Sequence, residues 1–593
     1  MSKIKIMDEN LANKIAAGEV VERCASVVKE LCENSIDAHS TDIKIELISS
    51  GVKSIKVTDN GIGMDKEDAL LCFTSHATSK VIEEEDLYNL STLGFRGEAL
   101  PSIASVSIIN LKTSNGEIGV IYELEGGKVV KEENGDLRKG TIIEVKDLFY
   151  NTPARLKYLS SLQSELSNIS QVINRLALSH TNIRFTLIND GKEVLSTSGS
   201  GNLLKAINEI YGVKIAKKML ELECENDDYS VFGYISLPEV NKSNRNHLIT
   251  IVNGRVVRNQ ELNKAINDAY HKYKPDNRYP IVILKIDVDP VLIDVNIHPS
   301  KQDIKFSNFD DLKEMINKKI EKILDNNFLG IDVSTKEVQI NNIVQKIENE
   351  EKKEEVKEYV MDFSTSDNLI KEEENNYNFT EDKNYDYQET EINEEETAKP
   401  FPDIYPIGSV LGTYIVCHNE KGLYLIDQHA AEERVNYEKY KKAMASPVKD
   451  TISMLFPINL EYPKDEFIII QNNLEFIRSL GIDIEEFGKN SFIIKAHPTW
   501  FKEGLEEIFI SNVLEKIITM NKNFDLERFN DSISAMMACK ASIKANTQIS
   551  LEEMENIISK LKLCKNPYNC AHGRPTIIHY PVYELEKLFK RVM

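Results

Sequence analysis

Two groups of polar side chains, far apart along the chain, have the types and spacing that phosphate chemistry requires. Glu30, Asn34 and Asp37 lie four and three residues apart, which puts all three on one face of a helix. They sit in the run VVERCASVVKELCENSIDA beside Val27, Val28 and Leu31, so the stripe is either a solvent-facing edge or a binding surface. Downstream, the strand-like SIKVT ends in Asp59-Asn60-Gly61-Ile62-Gly63, where an acid precedes two glycines that allow close backbone approach to a ligand. Ser75 to Lys80, with Thr78 and Lys80, and then Gly94-Phe95-Arg96-Gly97-Glu98-Ala99-Leu100 bracket a candidate phosphate lid. Glycines there offer backbone N–H groups to an anion, and a following helix N-terminus adds its dipole. Gly140-Thr141 follows a further strand. Each glycine motif alone is weak; their order makes the set strong.

The second group is Asp427-Gln428-His429-Ala430-Ala431-Glu432-Glu433, placed after GLYLI, with Glu438 five residues on. His429 and Glu433 stand four apart on one helical face, and Asp427 can cap the helix while keeping an oxygen for a cation. A lone His beside a Glu is ordinarily a hydrogen-bonded pair, but Cys570-Ala571-His572-Gly573-Arg574-Pro575 supplies a second cluster. Its Cys-x-His spacing suits a turn that presents sulfur and imidazole together. Carboxylate, imidazole and thiolate form a set that suits zinc or manganese better than magnesium alone. Sites of this kind activate water and stabilise the leaving oxygen of a phosphodiester; an inert structural zinc is the other reading.

Positioning these groups takes more than one domain, because 593 residues exceed the roughly 250 to 300 at which a single core stops growing. DIKIELI, SIKVTDNG and GTIIEVKDL alternate as half-buried strands do, while the Glu30 segment has helical periodicity, which predicts an α+β layer with helices covering one sheet face. HLITIVNGRVV and YPIVILKIDVD around QELNKAINDAYHKY mark a second unit. YIVCHNEKGLYLIDQHAAEERVNYEKYKKAM reads as a hairpin leading into a helix. Between them, residues 332–399 hold 21 Asp and Glu against 8 Lys, so 13 of the 23 excess negative charges lie there. Such a stretch cannot offset its ordering entropy by burial and is expected to be a disordered, self-repelling linker, or in its first part a solvated helix.

The net charge of −23 argues against a generally basic nucleic-acid surface, though its concentration in the linker weakens that objection. Lys214, Lys217, Lys218, Arg245, Arg255 and Arg258 are either scattered surface charges or a local DNA-facing groove. The eight cysteines are irregularly spaced and form no disulfide framework. No apolar run approaches the roughly 18 residues of a membrane span, and MSKIKIMDENLANK is no signal segment. The chain is therefore expected to be cytoplasmic.

The ordered set from Glu30 to Thr141 resembles the Bergerat (GHKL) nucleotide fold of gyrase, Hsp90, histidine kinases and MutL, and no Walker P-loop competes with it. IAAGEVVERCASVVKELCENSIDA, LGFRGEAL and FYNTPARLKYL resemble the MutL branch. Cys24 stands where that branch leads one to expect proline, which weakens the helix-start signal. The resemblance covers nearly the whole chain outside the linker. It implies a GHKL ATPase sandwich over 1–200, a ribosomal S5-like α/β transducer over 201–331, the linker over 332–399, and an α/β dimerisation and endonuclease domain over 400–593 with a regulatory subdomain near 463–560.

It also implies roles. Glu30 would activate the water that attacks the γ-phosphate of ATP, Asn34 would hold Mg²⁺, and Asp59 would accept from the adenine amino group. Gly61, Gly63, Thr78, Lys80, the Gly94–Leu100 lid and Thr141 would surround the nucleotide. Lys301, in Asp294-Val295-Asn296-Ile297-His298-Pro299-Ser300-Lys301, would reach the γ-phosphate. DQHAAEE and CAHGRP resemble the motif of MutL proteins that nick DNA, with Asp427, His429, Glu433, Cys570 and His572 as ligands of Mn²⁺ or Zn²⁺. Asp427 and Glu433 would be catalytic. Ala538 to Asn546, which contributes Cys539, and Phe589-Lys590-Arg591 resemble its companion segments. The resemblance further implies a homodimer clamped on DNA without sequence preference, acting near the nucleoid with the mismatch-recognition protein MutS. A sliding-clamp contact through Leu455 and Pro457 is also implied, although Ile452 replaces the expected glutamine. A matchmaker without nuclease activity, its C-terminal zinc purely structural, is the rival reading. A topoisomerase subunit or chaperone fits neither DQHAAEE nor CAHGRP.

Overall fold

The computed structural model describes residue 18 and residues 21–80, 92–94, 97–135, 138–274, 278–294, 304–328, 401–446, 450–520, 525–543 and 547–591. Phe95, Arg96, Lys301 and the acidic stretch 332–399 lie outside the described residues.

The first layer is an eight-stranded sheet of β1 (Asp42–Ile48), β2 (Ser54–Asp59), β3 (Ile108–Ser114), β4 (Gly119–Glu125), β5 (Lys128–Gly135), β6 (Gly140–Lys146), β7 (Arg184–Asn189) and β8 (Lys192–Ser196), in the order β5-β4-β3-β6-β2-β1-β7-β8. Neighbours are antiparallel except β1 and β7, which are parallel. Helices α1 (Cys24–Asp37), α2 (Ala99–Ser105) and α3 (Leu162–Ser179) accompany it. In the core, Val27, Val28 and Leu31 of α1 join Ile43, Ile45 and Leu47 of β1 and Ile173 and Leu176 of α3. This is the helix-covered face that the alternating pattern predicts. Arg23 precedes α1 without a side-chain cap, and Cys24 at its first position is fully buried. The thiol in proline's place thus serves as a small core residue.

The second sheet holds β9 (Met219–Glu225), β10 (Tyr229–Ser236), β11 (Leu248–Val252), β12 (Arg255–Val257) and β13 (Val282–Val288) in the order β12-β11-β13-β10-β9. It is buried on both faces. Ile249, Ile251 and Ile283 belong to the core of the first layer, while Leu248, Val252, Val282 and Leu284 pack with α4 (Gln260–Ala269) and α5 (Phe309–Phe328). Two-sided burial is why LITIV, buried at all five positions, does not alternate apolar with charged residues. Helix α4 stops at Ala269, short of the expected Tyr273, and the next residue, Tyr270, is buried with its hydroxyl donating to the Ser236 carbonyl at 2.7 Å.

Past the acidic stretch, β14 (Tyr405–Val410) extends the predicted hairpin, which is formed by β15 (Tyr414–Asn419) and β16 (Gly422–Asp427) and runs into α6 (Gln428–Ala445). A second sheet contains β17 (Thr451–Glu461), β18 (Asp483–Glu486) and β19 (Ser491–Pro498), with α7 (Lys464–Asn472), α8 (Glu506–Met520), α9 (Leu526–Ala541) and α10 (Leu551–Lys562) around it. Strand β20 (Ile577–Pro581) returns to close the first sheet as β14-β15-β16-β20. The C-terminal lobe has its own apolar core, including Tyr440, Phe467, Phe492, Phe509 and Phe529, separate from both N-terminal cores. Among the described residues no helix is long and apolar enough to cross a membrane.

Candidate functional site

One face of α1 carries Glu30, Asn34 and Asp37 into a cavity of about 1730 Å³ that is also lined by Asp59, Gly63, Thr78, Lys80, Gly94, Gly97, Glu98, Leu100 and Thr141. Asp59, at the end of β2, is the buried anchor. Its carboxylate accepts from Ser35 Oγ at 2.9 Å, the Gly61 N–H at 2.9 Å and the Thr141 N–H at 3.2 Å. Burial raises this carboxyl above its ordinary pKa, and these donors work against the rise. Gly63 has φ +70° and a Cβ there would lie 1.9 Å from the Ser114 carbonyl oxygen; Gly97 has φ +62° and a Cβ would lie 2.4 Å from that of Ala77. Both positions therefore exclude side chains, and the backbone itself forms the wall.

Lys80 Nζ lies 3.0 Å from Asn34 Oδ1 and 2.6 Å from Asp37 Oδ2. The lid ties to the same aspartate, whose oxygens accept from the Leu93 N–H at 2.9 Å and the Gly94 N–H at 3.0 Å. Asp37 thus gathers the lid onto the helix. Its position three residues after Asn34 was the available signal, but spacing alone assigned it no task. Lys29, which the sequence reading passed over, reaches Glu30 at 3.2 Å and Glu33 at 3.2 Å. Burial opposes its charge, yet the two carboxylates outweigh that effect and raise its pKa.

Arg255, expected in a DNA-facing groove, is buried instead, with its guanidinium donating to the Thr92 carbonyl. Burial lowers its pKa against the pull of Glu33 and Asp37, and it lines the same cavity as Glu30 and Asn34. The correction has a simple cause: a three-residue strand does not reveal which of its faces turns inward. Arg258 is exposed and lines the same cavity. Of the other basic residues, Lys214 donates to the Asn459 carbonyl at 2.6 Å, Lys218 pairs with Glu239 at 2.9 Å, and Arg245 lies 5.9 Å from the Tyr279 ring centroid.

In the C-terminal lobe α6 starts at Asp427, whose side chain accepts from the Ala430 N–H at 3.0 Å. One turn on, His429 and Glu433 meet Cys539 of α9, and Glu433 also meets Cys570 and His572 of the following turn. In each trio the ligand atoms lie within 4.8 Å of one another. Glu433 is almost fully buried and joins both groups. His572 Nδ1 is 2.9 Å from its carboxylate, while His429 Nδ1 is held at 2.8 Å by the Ile543 carbonyl. Burial alone would raise Glu433, but hydrogen bonds from Cys570 and His572 and the nearby imidazoles bring it below its ordinary pKa. Burial and Glu433 push both thiols up. Asp427 enters neither group: the residue expected among the ligands stands at the helix cap. Arg434, which sequence reasoning missed, fixes the Cys570 turn by donating to the carbonyls of Asn569 and Cys570.

The expected clamp peptide forms a bulge. Ser453 pairs with Ala496 and Ile458 with Ile494, so Met454 to Pro457 stand out of the β17 ladder, with Leu455 87% and Phe456 80% exposed.

Three regions of the chain match known families. Residues 22–152 match the histidine kinase-, DNA gyrase B- and HSP90-like ATPase, 207–325 the DNA mismatch repair protein C-terminal domain, and 407–549 the MutL C-terminal dimerisation domain. The DNA mismatch repair protein MutL of Geobacillus sp. (strain WCH70) is 42% identical over 100% of both chains. That of Listeria monocytogenes serotype 4b (strain CLIP80459) is 44% identical over 99% of both. Among solved structures, the Aquifex aeolicus MutL ATPase domain complexed with ADP is 26% identical, covers 50% of this chain and 98% of its own, and has a TM-score of 0.36. With relatives above 40% identity aligned along its whole length and three matching regions in order, the chain belongs to the MutL family of DNA mismatch repair proteins, with a GHKL ATPase domain near its N-terminus and a dimerisation domain near its C-terminus.

Proposed function

We propose that the chain couples ATP binding and hydrolysis to a metal-dependent nick in DNA, its four parts dividing at about residues 200, 331 and 399. Glu30 orients and activates the water that attacks the γ-phosphate, and Lys80 and the lid backbone hold the phosphates. Asp59, fixed by three donors, accepts from the adenine amino group, an arrangement a guanine carbonyl would repel. Asn34 is the residue that would hold Mg²⁺; its oxygen is the one Lys80 touches. When bound, that ion neutralises phosphate charge. Lys301, outside the described residues, completes the site by reaching the γ-phosphate.

The observation that carries the nicking reading is the sharing of Glu433 between two groups, one with His429 and Cys539 and the other with Cys570 and His572. Carboxylate, imidazole and thiol within one short radius fit Zn²⁺ or Mn²⁺ better than Mg²⁺ alone. Such ions, when bound, activate water and stabilise the leaving oxygen of a phosphodiester. Asp427 adds a carboxylate at the start of the same helix. The test is nicking of supercoiled plasmid by the full chain with Mn²⁺. Glu433→Gln and Asp427→Asn should lose nicking while remaining folded, and nicking equal to the unsubstituted chain would leave the metal a structural role.

The exposed apolar residues Tyr405, Ile407 and Val410 of β14 support a C-terminal homodimer made by a second copy. Arg258 contributes to a sequence-independent DNA surface. Leu455 and Pro457, with Phe456 between them, offer the bulge to a sliding clamp, and MutS delivers the mismatch signal. The chain works in the cytoplasm, at the nucleoid.

A further inference from the structure

The contact between the C-terminal lobe and the N-terminal half includes a buried cluster of charge. At the start of α7, Glu466 is buried and its carboxylate meets Lys242 Nζ at 2.7 Å and His247 Nε2 at 2.9 Å. The adjacent Asp465 is buried against α3, accepting from Asn174 Nδ2 at 3.2 Å through its side chain and from Ser167 Oγ at 3.1 Å through its carbonyl. Arg175 lies near enough to act on Asp465, and Arg258 near enough to act on Arg175. Asp465, Glu466, Arg175, His247 and Arg258 all line the cavity that holds Glu30 and Asn34. Arg175, Lys242 and His247 therefore bear on two neighbouring carboxylates in the wall of the same cavity, with Arg258 beside them.

Two features separate this arrangement from a permanent core. The C-terminal lobe keeps its own apolar core, with no member from the N-terminal half. Further polar contacts join the two halves: Arg278 with Glu515, Lys214 with the Asn459 carbonyl, and Lys489 with Glu193 at 3.2 Å. Polar contacts of this type belong to interfaces that open and close. Both surfaces belong to one chain, so a modest contact can hold them together. Two adjacent carboxylates bearing on cations also reproduce the pattern of consecutive backbone phosphates, whose charge-assisted hydrogen bonds use the same donors.

We propose that Asp465 and Glu466 are an anionic plug that the chain carries in itself, occupying the cationic cleft of Arg175, Lys242 and His247, beside the exposed Arg258, in place of a DNA phosphate backbone. DNA and the C-terminal lobe then compete for the same side chains. The inference rests on the reading above that Arg258 belongs to a DNA surface. It adds that the neighbouring part of this surface, Arg175, Lys242 and His247, is masked by the other half of the protein until the lobe lifts away, while Arg258 at its rim stays exposed.

The full chain allows two independent measurements. Docking is read by carbodiimide coupling of Lys489 to Glu193, an exposed natural ion pair across the contact, quantified by mass spectrometry of the joined peptides. DNA affinity is read by fluorescence anisotropy of a labelled duplex of mixed sequence at low salt. Asp465→Asn with Glu466→Gln, and separately Glu466→Lys, should lower coupling and tighten DNA binding. If the cleft is open in about a tenth of the molecules, full opening tightens binding about tenfold. Added duplex should lower coupling in the unsubstituted chain, and Lys242→Glu should restore it to the Glu466→Lys variant. Coupling that falls in these variants with DNA affinity unchanged would overturn the plug; if Arg258→Glu still weakens DNA binding, the DNA reading survives. Arg258→Glu without effect on DNA in either background removes the DNA reading of this cleft and the plug with it. Coupling that is absent in the unsubstituted chain, or indifferent to every substitution, also overturns the proposal.

Discussion

In the proposed function Glu30 and Asp59 divide the work of the nucleotide site between reaction and recognition, and each makes a prediction of its own. Removing the Glu30 carboxylate takes away the group assigned to the attacking water but none of the donors around Asp59. Glu30→Ala should therefore bind ATP with near-normal affinity while turnover falls by about 10² or more; calorimetric titration and a phosphate-release assay test the two halves separately. Asp59 predicts a pH dependence. Only the ionised carboxylate is purely an acceptor, and burial raises its pKa above the ordinary value of about 3.9. ATP affinity should thus be constant at neutral and alkaline pH and start to fall on acidification at a higher pH than an ordinary carboxylate would dictate. A profile that stays flat down to the ordinary carboxylate range would contradict this role. The Glu433 carboxyl is shifted the other way, below its ordinary pKa. The two site carboxylates accordingly differ because one is surrounded by neutral donors and the other by imidazoles.

The elements explain why such side chains stay in place. Helix α6 starts on the Asp427 cap, so one residue combines a structural and a proposed chemical task, and substitution can separate them. Asparagine caps a helix about as well as aspartate, whereas alanine costs about 1 kcal/mol. Asp427→Asn should then melt at the same temperature as the unsubstituted chain and Asp427→Ala below it, while both lose nicking. Equal melting of all three would show that the cap carries no weight. In the N-terminal layer, β2 ends at Asp59 and the Gly61 and Thr141 N–H groups close on its carboxylate. The helix–strand order there is readable in sequence because each element has one buried face and so a clear period. Arg255 escaped that logic: β12 is too short to show a period, and the sheet it joins is buried on both sides.

At the scale of the whole molecule the charge of −23 does not oppose the proposed DNA contact, because 13 of the excess negative charges lie in residues 332–399. DNA affinity should drop steeply with salt, its logarithm falling by about 0.9 per phosphate contact for each unit of log salt. Arg258→Glu should reduce that slope as well as the affinity, and a slope unchanged by the substitution would move the contact elsewhere. What the sequence determined by itself was local and ordered: the Glu30 helix, the strand running into Asp59, the hairpin leading to Asp427, and the motifs placing these in a family. Such features are written in residue type and spacing, which short-range geometry converts directly into structure. The tertiary structure alone decided which distant groups meet. It brought Cys539 and Cys570 each within reach of Glu433, left Asp427 outside both groups, turned Arg255 inward and set Glu466 against Lys242 and His247. Those choices depend on how separate elements pack, and packing between elements leaves no periodic mark in the chain.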